Sequence, residues 1–134
     1  MDFIEVLRAY KTIAIVGISD NPTRPSHTVA KYMIHAGYNV IPINPNLESV
    51  LGLKCYPSLL ELPDDLKKQV EIVDVFRKPQ DVPPIVNEAI AIGAKAIWMQ
   101  LGITNEDAAQ KAHKAGLDVV QNHCIAVDHQ NYIA

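Results

Sequence analysis

The run Thr12-Ile13-Ala14-Ile15-Val16, followed at once by Gly17-Ile18-Ser19, constrains this chain more than any other stretch. A short run of β-branched and small residues without polar alternation reads as a strand buried on both faces, as in a parallel sheet. A glycine turn ends it, a loop covers residues 20–25, and Ser26 opens a helix-like segment as its N-cap. Strand, turn and helix in that order form the place where α/β sheets hold phosphates. The unpaired N–H groups and the dipole of the helix start favour anions there. The turn is not the dinucleotide fingerprint. Counted from Gly17, the pattern G-x-G-x-x-G needs glycine at 19 and 22, and the chain has Ser19 and Pro22. The stretch predicts a nucleotide-type site that departs from the NAD version.

Strand and helix signals alternate along the rest of the chain, with no linker, repeat or low-complexity segment. Residues 3–10 read as an amphipathic helix, 12–16 as the first strand and 26–36 as a helix stopped by Gly37. Residues 39–43 read as the second strand, 47–53 as an irregular bridge and 58–62 as a short helix stopped by Pro63. Residues 70–76 form the expected third strand. A helix then opens at Pro83 or Pro84 and runs to Ile92, and residues 96–99 form the fourth strand. Asn105 caps a helix reaching Ala115, and residues 117–121 form the fifth strand. This is an α/β pattern. It predicts one Rossmann-like domain over residues 1–134, a three-layer sandwich with a five-stranded parallel sheet in the order 3-2-1-4-5.

Composition closes off several classes. A chain of 134 residues at 49% hydrophobic content supports one well-formed core. A net charge of −3 argues against a general nucleic-acid binder, so an anion site must gather its cations locally. Cys55 and Cys124 match no metal or redox spacing. The first ten residues carry Asp2, Glu5 and Arg8 and lack the apolar core of a signal peptide. No apolar run approaches the ~18 residues of a membrane span. The expectation is a cytoplasmic protein with no membrane partner and no nucleic-acid partner.

In a doubly wound sheet, ligands sit beyond the carboxyl ends of the strands, where the strand order reverses. After the first strand, Gly17 lets a ligand approach the backbone. Ser19, Asn21 and Thr23 offer short polar side chains, Arg24 a charge and Ser26 a helix start. After the second strand, NAD sites of the usual kind carry an acid for the ribose. This chain has Asn44 and Pro45, which also make good turn chemistry. After the third strand, Phe76 offers a ring, Arg77 a fork for phosphate and Lys78 a point charge. After the fourth come Gln100, Leu101 and Gly102. Nothing assembles into a nucleophile, base and orienting group. His123, Cys124 and His129 fit no zinc pattern, and of the five histidines only His27 lies at the proposed site.

These strand ends together carry a resemblance. The matching stretches are Val16-Gly17-Ile18-Ser19 with Arg24 and Ser26, residues 37–45, Asp74-Val75-Phe76-Arg77, residues 97–102, and Cys124. The chain resembles the CoA-binding protein family, stand-alone relatives of the N-terminal domain of the succinyl-CoA synthetase α-subunit. The resemblance implies that Gly17, Ile18, Ser19, Asn21, Thr23, Arg24 and Ser26 meet the phosphates of coenzyme A. Asn44, Pro45, Phe76 and Arg77, with Lys78, would meet the adenosine end, and Gln100, Leu101 and Gly102 the pantetheine side. It carries no counterpart of the synthetase's second domain, so no thiokinase reaction is inherited. The expected function is binding of CoA or an acyl-CoA without catalysis, for sensing, carrying or regulation. The alternatives are an NADP-binding oxidoreductase or redox sensor, and a CoA-binding subunit that meets a protein partner within a larger acyl-CoA enzyme.

Overall fold

In the computed structural model, which describes residues 1–134, the chain alternates helix and strand as its sequence pattern requires. The elements are α1 (Phe3–Ala9), β1 (Thr12–Val16), α2 (Pro25–His35), β2 (Asn39–Ile43), β3 (Ser49–Val50), β4 (Leu53–Lys54), α3 (Asp64–Gln69), β5 (Ile72–Val75), α4 (Val82–Ile92), β6 (Ala96–Met99), α5 (Glu106–Lys114), β7 (Asp118–Val120) and α6 (Ile125–Tyr132). A single 3₁₀ turn, Pro79–Asp81, leads into α4. Five parallel strands form the sheet in the order β2-β1-β5-β6-β7.

Side chains on successive strand residues point to opposite faces, and both faces are covered. Ala14, Val16, Val73, Val75, Ile97 and Met99 pack against the apolar stripes of α4 and α5, among them Val82, Val86, Ala89 and Ala112. Ile13, Ile15, Ile72 and Trp98 pack on the other face against Val6, Leu7, Val29, Met33 and Ile125 of α1, α2 and α6. This double burial is why the strands read as unbroken apolar runs.

The α/β class and the Rossmann-like parallel sheet stand as expected, with one correction to the strand order. Counting the five full strands, the order is 2-1-3-4-5: the strand ending at Val75 lies beside β1, not outside β2. The outer position is held by an isolated parallel bridge between Ile43 and Tyr56. The Tyr56 N–H donates to the Pro42 carbonyl at 3.0 Å and the Asn44 N–H donates to the Tyr56 carbonyl at 2.9 Å. Counted as a rudimentary third strand, that bridge restores the run 3-2-1-4-5 with one strand more. The order in which strands are added reverses at β1, with β2 on one side and β5 on the other, which fixes the switch point at Gly17 and Phe76.

Two local expectations also change, and one helix, α6, had no counterpart in the sequence reading. The bridge at residues 47–53 contains an antiparallel ribbon, β3 with β4. Residues 58–62 form a turn, in which the Ser58 hydroxyl donates to the Glu61 carboxylate at 3.0 Å and accepts the Glu61 N–H at 3.3 Å. Five residues are too few to repay helix nucleation. Pro63 instead precedes α3, with Asp64 and Asp65 in the first turn where the dipole favours them. Helix α6 carries buried polar residues, Asp128 and His129, in place of an apolar stripe, so its periodicity was hidden.

Candidate functional site

Gly17 closes β1 with φ at +91°, a conformation that side chains other than glycine's rarely adopt. An added Cβ would collide with the Phe76 carbonyl oxygen and lie 3.1 Å from Arg77 Nε. The glycine thus lets the carboxyl ends of β1 and β5 close on each other. The loop that follows is wired to itself. Ser19 N–H donates to the Ser26 hydroxyl at 2.9 Å, Asn21 N–H to the Ser19 hydroxyl at 3.0 Å, and Thr23 N–H to Asn21 Oδ1 at 3.0 Å. His27 Nδ1 lies 3.0 Å from the Ser19 carbonyl.

Ser26 is not the N-cap. Arg24 occupies that position with extended backbone and no side-chain cap, and Pro25 opens the helix. Pro at the first helical position supplies its own φ and has no N–H to satisfy. The Ser26 hydroxyl is therefore free to hold the loop, and since His27 and Thr28 N–H both donate to the Arg24 carbonyl, the Ser26 N–H is the one left unpaired in the first turn.

Two depressions meet at Arg77. The polar one, about 500 Å³, is lined by Gly17, Ser19, Arg24, Ser26, Phe76, Arg77 and Lys78, with Ile103 on its far wall. The apolar one, about 330 Å³, is lined by Val16, Ile43, Pro45, Pro57, Leu59 and Ile85 beside Arg77. Asp81 borders both. None of Arg24, Arg77 and Lys78 is ion-paired within the chain, whose three ion pairs lie elsewhere. Three cations without ion-pair partners thus line or border the depression at the start of α2, a chemistry suited to anions.

The other expected residues have different surroundings. Ile18 is fully buried and serves the core. Asn21 and Thr23 bond to each other within the loop. Asn44 Nδ2 donates to the Ile18 carbonyl at 2.8 Å while its Oδ1 accepts the Asn46 N–H at 2.8 Å, so it ties the ends of β1 and β2 together. Gln100 is 3% exposed and faces inward onto Asp74. Leu101 is exposed, and the Gly102 N–H donates to Asn122 Oδ1 at 2.7 Å. Sequence reasoning missed the walls supplied by Pro57, Leu59, Ile85 and Ile103. No local signal marks the first two, which follow the isolated bridge at Tyr56.

Comparison with known proteins agrees with this geometry. A family model described as CoA binding domain matches residues 11–130. YneT of Bacillus subtilis (strain 168), an uncharacterised protein, is 40% identical over 125 residues, covering 93% of this chain and 90% of its own. The solved structure of a hypothetical protein from Pyrococcus horikoshii OT3 superposes with a TM-score of 0.92 at 44% identity, over 99% of this chain and 91% of that one. The ADP-forming acetate–CoA ligase II of Archaeoglobus fulgidus is 26% identical over 121 residues, and the match covers 87% of this chain but only 17% of the ligase. The expected resemblance stands, and the chain belongs to the CoA binding domain family.

Proposed function

We propose that this protein binds coenzyme A or an acyl-CoA as a single domain and catalyses no reaction on it, acting in the cytoplasm as a carrier, sensor or regulator. The observation that carries the reading is the unpaired trio Arg24, Arg77 and Lys78 around the Gly17 loop and the start of α2. CoA carries a pyrophosphate and a 3′-phosphate, which such a trio suits. The apolar depression beside Arg77 is the place for the adenine, and Pro45 and Leu59 are its walls. Ser19, Ser26 and the helix start hold the pyrophosphate. The pantetheine arm leaves past Ile103 toward the loops after β6 and β7. Ile18, Asn21, Thr23 and Asn44 act through the backbone they shape. Gln100, Leu101 and Gly102 set the loop the arm passes. No helix is long and apolar enough to cross a membrane.

Calorimetry with CoA, NADP and NAD tests the reading. CoA binds tightest. Tighter binding of NADP would turn the assignment to the oxidoreductase or redox-sensor alternative. The likeness to a ligase several times longer favours one second reading, a CoA-binding subunit of a larger acyl-CoA enzyme. Co-purification of a stoichiometric partner that confers acyl-CoA turnover would establish it.

A further inference from the structure

The loop between β7 and α6 carries a second group of side chains at the carboxyl end of the sheet. Asn122 adopts a left-handed conformation, φ +60°. Its N–H donates to the Ile103 carbonyl at 3.2 Å, and Ile103 is the far wall of the polar depression. His123 follows. Its N–H donates to the Met99 carbonyl at 3.3 Å, and its carbonyl accepts the Trp98 indole N–H at 2.9 Å. The Phe3 ring packs on the imidazole at a centroid distance of 4.5 Å. Main chain and ring are both held.

The imidazole also has a defined back and front. Nδ1 lies 2.7 Å from Asp128 Oδ2. The Asp128 side chain is 10% exposed and that of His123 is 38% exposed. A carboxylate only accepts, so the shared proton sits on Nδ1. Nε2, which has no hydrogen-bond partner within the chain, is then an acceptor. The arrangement is an imidazole pinned from the interior and partly exposed, in the loop whose Asn122 N–H bonds to Ile103 at the edge of the polar depression.

We propose that His123 Nε2 receives the thiol of the bound ligand, so that the protein prefers free CoA to its thioesters. The inference rests on the CoA-binding reading. An arm that leaves phosphates held at Gly17 to Ser26 and passes Ile103 reaches this loop. The thiol S–H donates to Nε2. Full transfer of the proton leaves a thiolate on sulfur and an imidazolium paired with Asp128, with no other reactant involved. A thioester has no S–H and leaves Nε2 unpaired. Asp128 is the positioning residue, because it fixes the tautomer.

The test is calorimetry of the full chain and of His123→Gln with CoA, acetyl-CoA and desulfo-CoA, in which hydrogen replaces the thiol. The unaltered protein binds CoA roughly fivefold or more tighter than either analogue, the scale of one hydrogen bond to a polarised acceptor. In His123→Gln the gap closes. Equal affinities for the three ligands in the unaltered protein overturn the inference and leave the CoA-binding reading standing. Failure of all three to bind overturns that reading. A gap that survives His123→Gln overturns the inference by assigning the preference elsewhere. If melting curves show that His123→Gln does not fold, Asp128→Asn carries the same test: the gap narrows if the carboxylate fixes the tautomer, and an unchanged gap overturns the proposal.

Discussion

The side-chain amide of Gln100 donates to Asp74 Oδ1 at 2.6 Å, joining two residues that are both cut off from solvent. Asp74 lies in mid-strand between Ile15 of β1 and Trp98 of β6, on the face covered by α1, α2 and α6. Its second oxygen has no partner. Burial pushes the Asp74 carboxyl up to about 8, against the opposing effect of the Gln100 hydrogen bond. A neutral acid therefore sits beneath the switch point at neutral pH.

Asp74 predicts an inverted pH dependence. An unfolded aspartic acid titrates near 3.9, so between about pH 4 and pH 8 the unfolded state binds fewer protons at this group than the folded state. The contribution is fully present below pH 4 and is lost as pH rises toward 8. Urea unfolding of the protein and of Asp74→Asn across that window gives a difference curve. The difference grows with pH in favour of Asp74→Asn, by on the order of a few kcal/mol. A flat difference curve would show that Asp74 ionises normally.

Gln100→Ala removes the one hydrogen bond that the Asp74 side chain has. Leaving a buried polar group unsatisfied costs about 1–3 kcal/mol, and the urea midpoint falls accordingly. Full stability in this variant would mean that the pair contributes nothing to the joining of β5 and β6.

Gly17→Ala tests the close approach of β1 and β5. The substitution meets both a positive φ and the Phe76 carbonyl. Strain of this kind costs on the order of 1–3 kcal/mol, and a backbone clash adds to it. The variant melts lower and loses CoA affinity. Affinity equal to that of the unaltered protein would move the phosphates away from Gly17.

Arg24→Ala and Arg77→Ala each weaken CoA roughly tenfold to a hundredfold, the range of a charge-assisted hydrogen bond. Dephospho-CoA separates their roles, because the arginine that serves the 3′-phosphate matters much less for that analogue. Two variants that bind CoA as tightly as the unaltered chain would place the site elsewhere.

Ligand binding also shows in thermal stability. At a hundredfold excess over Kd, a ligand of the folded state alone stabilises it by about 2.7 kcal/mol, or several degrees in Tm at roughly 2–8 °C per kcal/mol. CoA produces this shift, adenosine much less, and the CoA shift shrinks as salt screens partly exposed phosphate contacts. Equal, salt-insensitive shifts would contradict the phosphate assignment to Gly17, Arg24 and Arg77.

The parts of the fold legible in the sequence were those with a strong local signal. The strand from Thr12 to Val16 and the one from Ala96 to Met99 are apolar runs with bounded ends, and Asn105 accepts the Ala108 N–H as a helix cap does. The hidden parts depend on contacts distant in sequence. No local pattern shows that Tyr56 pairs with Ile43, or that Asn44 and Gln100 turn inward onto Ile18 and Asp74. Polar residues at strand ends look alike in sequence whether they face a ligand or a neighbouring loop. Gly17, Arg24, Phe76 and Arg77 were legible because the positions after the strands that flank the reversal converge whatever the details of the loops.

The bridge at Tyr56 has a consequence for how copies of this protein meet. β2 is a border strand, and its outward-facing polar groups belong to Val40, Pro42 and Asn44. Tyr56 takes the Pro42 carbonyl and the Asn44 N–H, and Pro42 has no N–H to offer. The one border long enough to recruit a foreign strand is therefore blunted by a proline and the two hydrogen bonds to Tyr56, while the opposite border, Asp118–Val120, is only three residues long. The Tyr56 bridge thus closes this margin of the sheet to strand addition, and the next residue along, Pro57, lines the apolar depression beside Arg77.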